Sequence, residues 1–225
     1  MAQRTKKVML TGCSGVGKTT LAKWINLNFG IQFISGSYSD LVPETKSQKH
    51  SEMINKDPKE IYAQDLQVVN LRNKSFKGKH SFVSDRSYFD SVAYLIQKLS
   101  HNIPECDTES FIHTCEHLMA EQCTHLIYIP FSTKFLRGWG MEDNKKRVLN
   151  RYYQFEVSQI LNGVLDLWHF KENKLKSKLK YNGNKYGYIY CRTHNHNTYP
   201  PIKVLILDEL DWETRCDLVS KFLSE

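Results

Sequence analysis

Eight consecutive residues, Gly12-Cys13-Ser14-Gly15-Val16-Gly17-Lys18-Thr19, satisfy the pattern G-x-x-x-x-G-K-[ST]. A triphosphate needs several backbone N–H groups pointing inward, an arrangement that glycine-permitted dihedrals allow. It also needs a helix N-terminus facing its negative charge, a lysine for the β and γ oxygens and a hydroxyl for Mg²⁺. Gly12, Cys13, Ser14, Gly15, Val16, Gly17, Lys18, Thr19 and Thr20 are therefore expected to cradle the phosphates of ATP, with Lys18 catalytic and Thr19 on the metal.

Three further groups have residue types suited to the rest of a phosphate chemistry. In Ser81-Phe82-Val83-Ser84-Asp85-Arg86-Ser87 an apolar run ends in a carboxylate and an arginine. The carboxylate can hold Mg²⁺ through water or accept a proton from an attacking hydroxyl, and the planar fork of Arg86 can bind phosphate oxygens. Farther on, Arg147 and Arg151 are four apart and share a helix face, after a glycine-punctuated stretch that includes Arg137. A closing lid that brings arginines onto a γ-phosphate has this form. The hydroxyl-rich turn Ser35-Gly36-Ser37-Tyr38-Ser39-Asp40 supplies Ser35, Ser37 and Asp40 as acceptor-site candidates, alongside Arg137. By contrast, His113, Cys115 and His117 are two apart on a helix and point to different faces, so no metal site is expected there.

These residues have to be placed by elements, and the hydrophobic pattern names them. Short apolar strands are expected at about 6–11, 31–34, 81–84, 125–129 and 203–208. Helices are expected at about 18–28, 59–73, 88–99, 108–122, from 142 or 143 to 165, and 211–223. In the second of these Ile61, Leu66, Val69 and Leu71 read as the apolar set, with Arg72 polar; in the fifth, Phe155 joins Val157, Ile160, Leu161 and Leu165. Strands alternating with helices predict an α/β fold, with a parallel sheet of about five strands and helices on both faces. In open sheets of this kind ligands bind beyond the carboxyl ends of the strands, where the loop, the Ser35 turn and Asp85 all fall.

The 225 residues suit one domain, with no apolar run near the roughly 18 residues needed to cross a bilayer. The first residues run straight into the first strand, so no signal peptide fits, and six scattered cysteines suit reduced thiols in the cytoplasm. The net charge is +7, and seven lysines, Arg192 and Glu172 between positions 171 and 203 account for all of it. A formally neutral body with one basic segment suits contact with a polyanion. In that segment 181–190 reads as a tyrosine-rich hairpin, and lysines interleaved with tyrosines can track phosphates and stack bases.

The stretch from Thr11 through Leu21, together with Val83-Ser84-Asp85-Arg86-Ser87 and the following Asp90-Ser91, Ala93 and Tyr94, resembles the P-loop nucleoside and nucleotide kinases. Within them it is most similar to the small ATPase/kinase branch that includes nicotinamide riboside kinase-like proteins and phage-encoded kinases. The resemblance covers roughly 6–165 and the last strand and helix, leaving 171–200 as an insertion and about 131–151 as the lid. It implies a P-loop three-layer sandwich over 1–225, with Asp85 and Arg86 serving phosphates and Mg²⁺. It maps the lid arginine onto Arg137, Arg147 or Arg151 without choosing among them. Many such kinases place a glutamate after the second strand where this chain has Ser35-Gly36-Ser37. Asp85 is then the first choice of base and Asp40 the reserve.

The activity expected is transfer of the γ-phosphate of ATP, with Mg²⁺, to a nucleoside or nucleotide, or to a hydroxymethylated pyrimidine within DNA. The alternative is a regulatory ATPase that passes phosphate to water. The expected partners are a nucleoside, nucleotide or DNA acceptor, nucleic acid at 171–200 and a second copy in a homodimer, without membrane association.

Overall fold

The computed structural model describes residues 5–43, 56–99, 102–131, 151–168, 171–172, 185–189, 199–209 and 211–224. Their strands are β1 (Lys7–Thr11), β2 (Phe33–Ile34), β3 (Phe82–Ser84), β4 (His125–Tyr128), β5 (Lys171–Glu172), β6 (Lys185–Ile189) and β7 (Ile202–Ile206). The helices are α1 (Lys18–Phe29), α2 (Tyr38–Leu41), α3 (Pro58–Phe76), α4 (Tyr88–Leu99), α5 (Glu105–Gln122), α6 (Arg151–Leu167) and α7 (Trp212–Ser224).

All seven strands form one sheet in the order β2-β3-β1-β4-β7-β6-β5. The five expected strands are the parallel part of it, with β1 flanked by β3 and β4. From β1 the chain moves out to β2 and then returns across the sheet through β3, β4 and β7. Right-handed crossovers in opposite directions put α1 on one face and α3 to α6, between β2 and β7, on the other. The connection after β1 runs opposite to those after both its neighbours, β3 and β4, and in such sheets ligands bind at the carboxyl ends beside such a reversal.

Local chemistry sets the helix ends. Gly30 closes α1 in the left-handed region (φ 66°), its N–H bonding Asn26 O. Asp57 caps α3 by accepting the Lys59 N–H at 2.8 Å, with Pro58 at the first position. In α4, Ser87 and Asp90 cap each other: the Ser87 N–H donates to Asp90 Oδ2 at 2.8 Å and the Phe89 N–H to Ser87 Oγ at 3.1 Å.

Three expectations need correction. On α3 the buried stripe is Ile61, Asp65, Val68, Val69, Arg72 and Phe76, so Arg72 faces inward and Leu66 and Leu71 are only half-buried. The stripe tolerates two charged residues because Lys98 meets Asp65 at 2.6 Å, while Arg72 finds backbone carbonyls. On α6, Phe155 is exposed, and the inward set is Val157, Leu161, Val164 and Leu165, followed by Trp168. Finally, the expected tyrosine-rich hairpin at 181–190 lies within the described residues only at 185–189, and one of its tyrosines is turned inward. Its described part is the single strand β6, which lies antiparallel between β7 and β5. Tyr186 is buried there against Phe222, with ring centroids 5.7 Å apart, so it is not free to stack on a base.

Trp168 ties the layer beyond α1 together. Its ring meets Phe89 edge-on at 4.8 Å and its indole N–H donates to the buried Glu116 Oε1 at 2.8 Å. Trp168→Ala is expected to lower unfolding free energy by about 3–5 kcal/mol, measured by urea denaturation. Trp168→Phe, which keeps most of the volume and loses the donor, should lose less than half as much.

Candidate functional site

The loop after β1 is shaped by what surrounds it. Gly12 has φ +146°, and a Cβ there would stand 2.4 Å from the Ile129 carbonyl oxygen. Farther along the loop, Gly15 and Gly17 have φ of 86° and 89°, and α1 begins at Lys18. Lys18 is buried, its ammonium donating to Gly12 O at 2.5 Å and Cys13 O at 2.6 Å. The amine is thus folded over the loop it belongs to, where it spans the space a phosphate chain would enter. Cys13 is also buried, and burial pushes its thiol up to about 11, so its role is packing rather than reactivity.

Asp85, just past β3, is buried and connects two other segments. The Thr19 hydroxyl donates to its Oδ2 at 2.6 Å, and the Gly36 N–H donates to its Oδ1 at 2.9 Å. The two residues expected at the metal are therefore in direct contact, and the expected acceptor turn is attached to the same carboxylate. A hydroxyl and one carboxylate are hard oxygen donors of the kind Mg²⁺ takes when substrate phosphates and water complete its shell. Gly36 is required by crowding, since a Cβ would lie 2.8 Å from both Arg86 Cβ and Ser84 Oγ.

Arg86 points along α4. Its guanidinium meets Asp90 Oδ1 at 3.2 Å and lies 5.4 Å over the Tyr94 ring. The same Asp90 oxygen is 3.4 Å from the Gly12 N–H, so Arg86 and the first amide of the loop share one buried carboxylate. At the acceptor turn Ser35 Oγ donates to Asp40 Oδ2 at 2.6 Å, with Ser37 3.5 Å from Ser35. Asp40 belongs to the one-turn α2 and is exposed, so it stands at the rim of the cleft.

Arg137 and Arg147 lie outside the described residues, and Arg151 is described only as the first residue of α6. Three residues with no role in the sequence reading prove to organise the site. Asp90 does so as above, and a serine followed three residues later by an acid was the available signal. Arg72 donates to Gly36 O at 2.8 Å, Ser87 O at 2.9 Å and Ser91 Oγ at 2.7 Å, fixing the acceptor turn to the start of α4. Arg215, on α7, donates to Val16 O at 3.2 Å and to Glu209 O.

Burial lowers the Lys18 ammonium to about 8, and the Arg86 guanidinium pushes the same way against Asp90 and Asp85. A triphosphate binds the charged form, so its affinity is expected to hold at pH 7 and fall as pH rises through about 8, before an ordinary lysine would titrate. Above that pH the lysine must take up a proton on binding. Calorimetric titrations of ATP at pH 8.5 in buffers of different ionisation enthalpy would detect that uptake; buffer-independent heats would refute it.

Solved structures share this fold. Deoxyadenosine kinase from M. mycoides with bound dATP superposes with a TM-score of 0.60 at 14% identity, over 97% of this chain and 99% of the kinase. The same enzyme with bound dCTP gives 0.58 at 14%, over 96% and 98%. NadR in complex with NR gives 0.59 at 15% identity over 99% of this chain, which spans 52% of NadR. No curated protein sequence matches the chain. At sequence level residues 7–147 match the AAA domain family, a stretch that holds β1, the loop, α1 and Asp85 with Arg86. The chain therefore belongs to the AAA domain family and has a P-loop kinase-like fold.

Proposed function

We propose that the protein is a kinase that transfers the γ-phosphate of ATP to a hydroxyl of a nucleoside or nucleotide. The observation that carries this is the double use of Asp85: one carboxylate oxygen holds the Thr19 hydroxyl beside the phosphate loop, and the other holds the Gly36 amide of the β2 turn. A site that passes phosphate only to water has no need for that turn to be attached to the phosphate end. The neighbouring structures are described with a deoxynucleotide or NR bound, small ligands that contain a sugar and a base, which agrees with this acceptor class.

In this reading the loop amides and Lys18 bind the β and γ phosphates, and Thr19 and Asp85 would hold Mg²⁺, which would supply positive charge against that of the phosphates. Asp85 orients either the metal or the acceptor hydroxyl; it is the first choice for the base that takes the hydroxyl proton, and Asp40 is the reserve. Arg86 turns from Asp90 and Tyr94 onto phosphate oxygens, and an arginine among Arg137, Arg147 and Arg151 closes from the lid. Ser35, Ser37 and Asp40 line the acceptor side. Catalysis is then mainly positioning and charge stabilisation, as expected for phosphoryl transfer. The narrower form of the proposal places the acceptor within DNA, as a hydroxymethylated pyrimidine, with the lysines of 171–200 on the DNA phosphates. Its support is the concentration of charge in that segment, where six lysines and Arg192 against Glu172 give +6 of the net +7.

Incubation with γ-labelled ATP, Mg²⁺ and a panel of nucleosides, nucleotides and duplex DNAs tests both forms. Label is expected in a nucleoside or nucleotide, and label in polymer selects the DNA form. Lys18→Ala and Asp85→Asn should each reduce transfer on the order of 100-fold. Label in free phosphate alone, whatever the acceptor offered, would replace this proposal with the hydrolytic reading.

A further inference from the structure

Arg215 is a guanidinium with none of its surface exposed, on the helix that follows the last parallel strand. It donates outward from α7 in two directions. Nη1 reaches Val16 O at 3.2 Å, inside the phosphate loop; Nε and Nη2 reach Glu209 O at 3.1 and 2.6 Å, in the segment that leaves β7. Burial lowers this guanidinium to about 10, still far above neutrality, so it is a retained charge. A buried charge with so many of its donors engaged is costly to place and unusual as mere filling.

Its position bears on one particular amide. No peptide bond among the described residues is cis. In a planar trans peptide the carbonyl and the N–H of the next residue point in opposite directions. Drawing Val16 O toward α7 therefore turns the Gly17 N–H the other way, into the concave side of the loop, where successive amides make an anion-binding hollow. Gly17 has φ +89°, and a Cβ on it would lie 3.2 Å from Arg215 Nη1, so arginine and glycine are fitted to each other. The second set of bonds fixes the segment after β7, which lies at the carboxyl edge of the sheet beside the loop.

We infer that Arg215 is a positioning residue for nucleotide binding, holding the Val16–Gly17 peptide with its N–H turned to the phosphates and joining the loop to the segment 207–209. This rests on the reading of the loop as a nucleoside triphosphate site, and it does not depend on which acceptor is used. Arginine is needed because its fork serves two carbonyls from two segments at once, which the single ammonium of lysine does not do.

The test is direct binding by calorimetry to the full chain, with ATP and with inorganic tripolyphosphate as probes. The proteins are the wild type, Arg215→Lys, and Lys221→Ala as a control on the exposed side of α7. Arg215→Lys is expected to weaken both probes about tenfold, the effect of one charge-assisted hydrogen bond, while Lys221→Ala binds as wild type. A folded Arg215→Lys protein that binds both probes within twofold of wild type would overturn the inference. A readout on the wild type alone guards against a variant that fails to fold: tripolyphosphate should shift the Gly17 amide proton downfield in an NMR titration. A Gly17 amide that stays put at saturation overturns the inference equally. If the wild type binds neither probe, the nucleotide reading itself fails, and that result is distinct from both.

Discussion

A backbone that turns its amides inward to meet phosphate must turn its carbonyls outward, and those carbonyls then need donors of their own. This constraint organises the centre of the molecule. Gly12 O and Cys13 O take the ammonium of Lys18, while Val16 O takes the guanidinium of Arg215. Both cations are buried, and each lies where removing it would leave a carbonyl without its donor. The lysine can exchange carbonyl oxygens for phosphate oxygens, since both are anionic or partly so, whereas the arginine serves carbonyls only.

The Ser35–Ser37 turn, proposed for the acceptor, is held by the same device. Arg72 enters from α3 and donates to Gly36 O and Ser87 O, and the Gly36 amide returns to Asp85. Each side of the cleft thus has one buried arginine behind it, and Asp85 joins the two sides through Thr19. Asp90 adds a third connection, from the start of α4 to the Gly12 amide and to Arg86. The result is a cleft whose walls are held by polar contacts, set on a sheet whose strands are wholly buried at β1, β3 and β4 apart from Lys7.

How much of this could be read in the sequence followed from how local each signal was. The phosphate loop is one contiguous pattern bounded by a strand and a helix, and all five parallel strands were marked by short apolar runs. Asp85 and Arg86 were visible because they directly follow such a run. Arg72 and Arg215 were not, because apart from the Ser91 hydroxyl their partners are backbone carbonyls that every residue possesses, so no complementary charge marks the pairing. A weaker signal was present: Arg215 shares a helix face with the apolar Leu218, Val219 and Phe222, an odd place for a cation unless something buried receives it. The α3 stripe misled for a related reason, since Asp65 and Arg72 occupy positions where periodicity expects apolar residues. At β6 the tyrosine-rich pattern gave no sign that the strand would pair with β7, because backbone hydrogen bonds between strands leave no side-chain mark.

The connection from Arg215 to Val16 spans 199 positions of the chain, more than the 117 that separate Lys7 from Thr124 or the 78 between Gly12 and Asp90. Because the loop and α7 lie at opposite ends of the chain, this contact has to wait for α7 to be made. The glycine loop, though made near the beginning during synthesis, would lack its outer support until α7 docks. If the loop binds a nucleoside triphosphate as proposed, a nucleotide that prefers the supported loop would bind the finished fold over any earlier intermediate and stabilise it by mass action. The cell's own pool of triphosphate would act as a ligand that selects correctly folded copies, with α7 as the element whose arrival it senses.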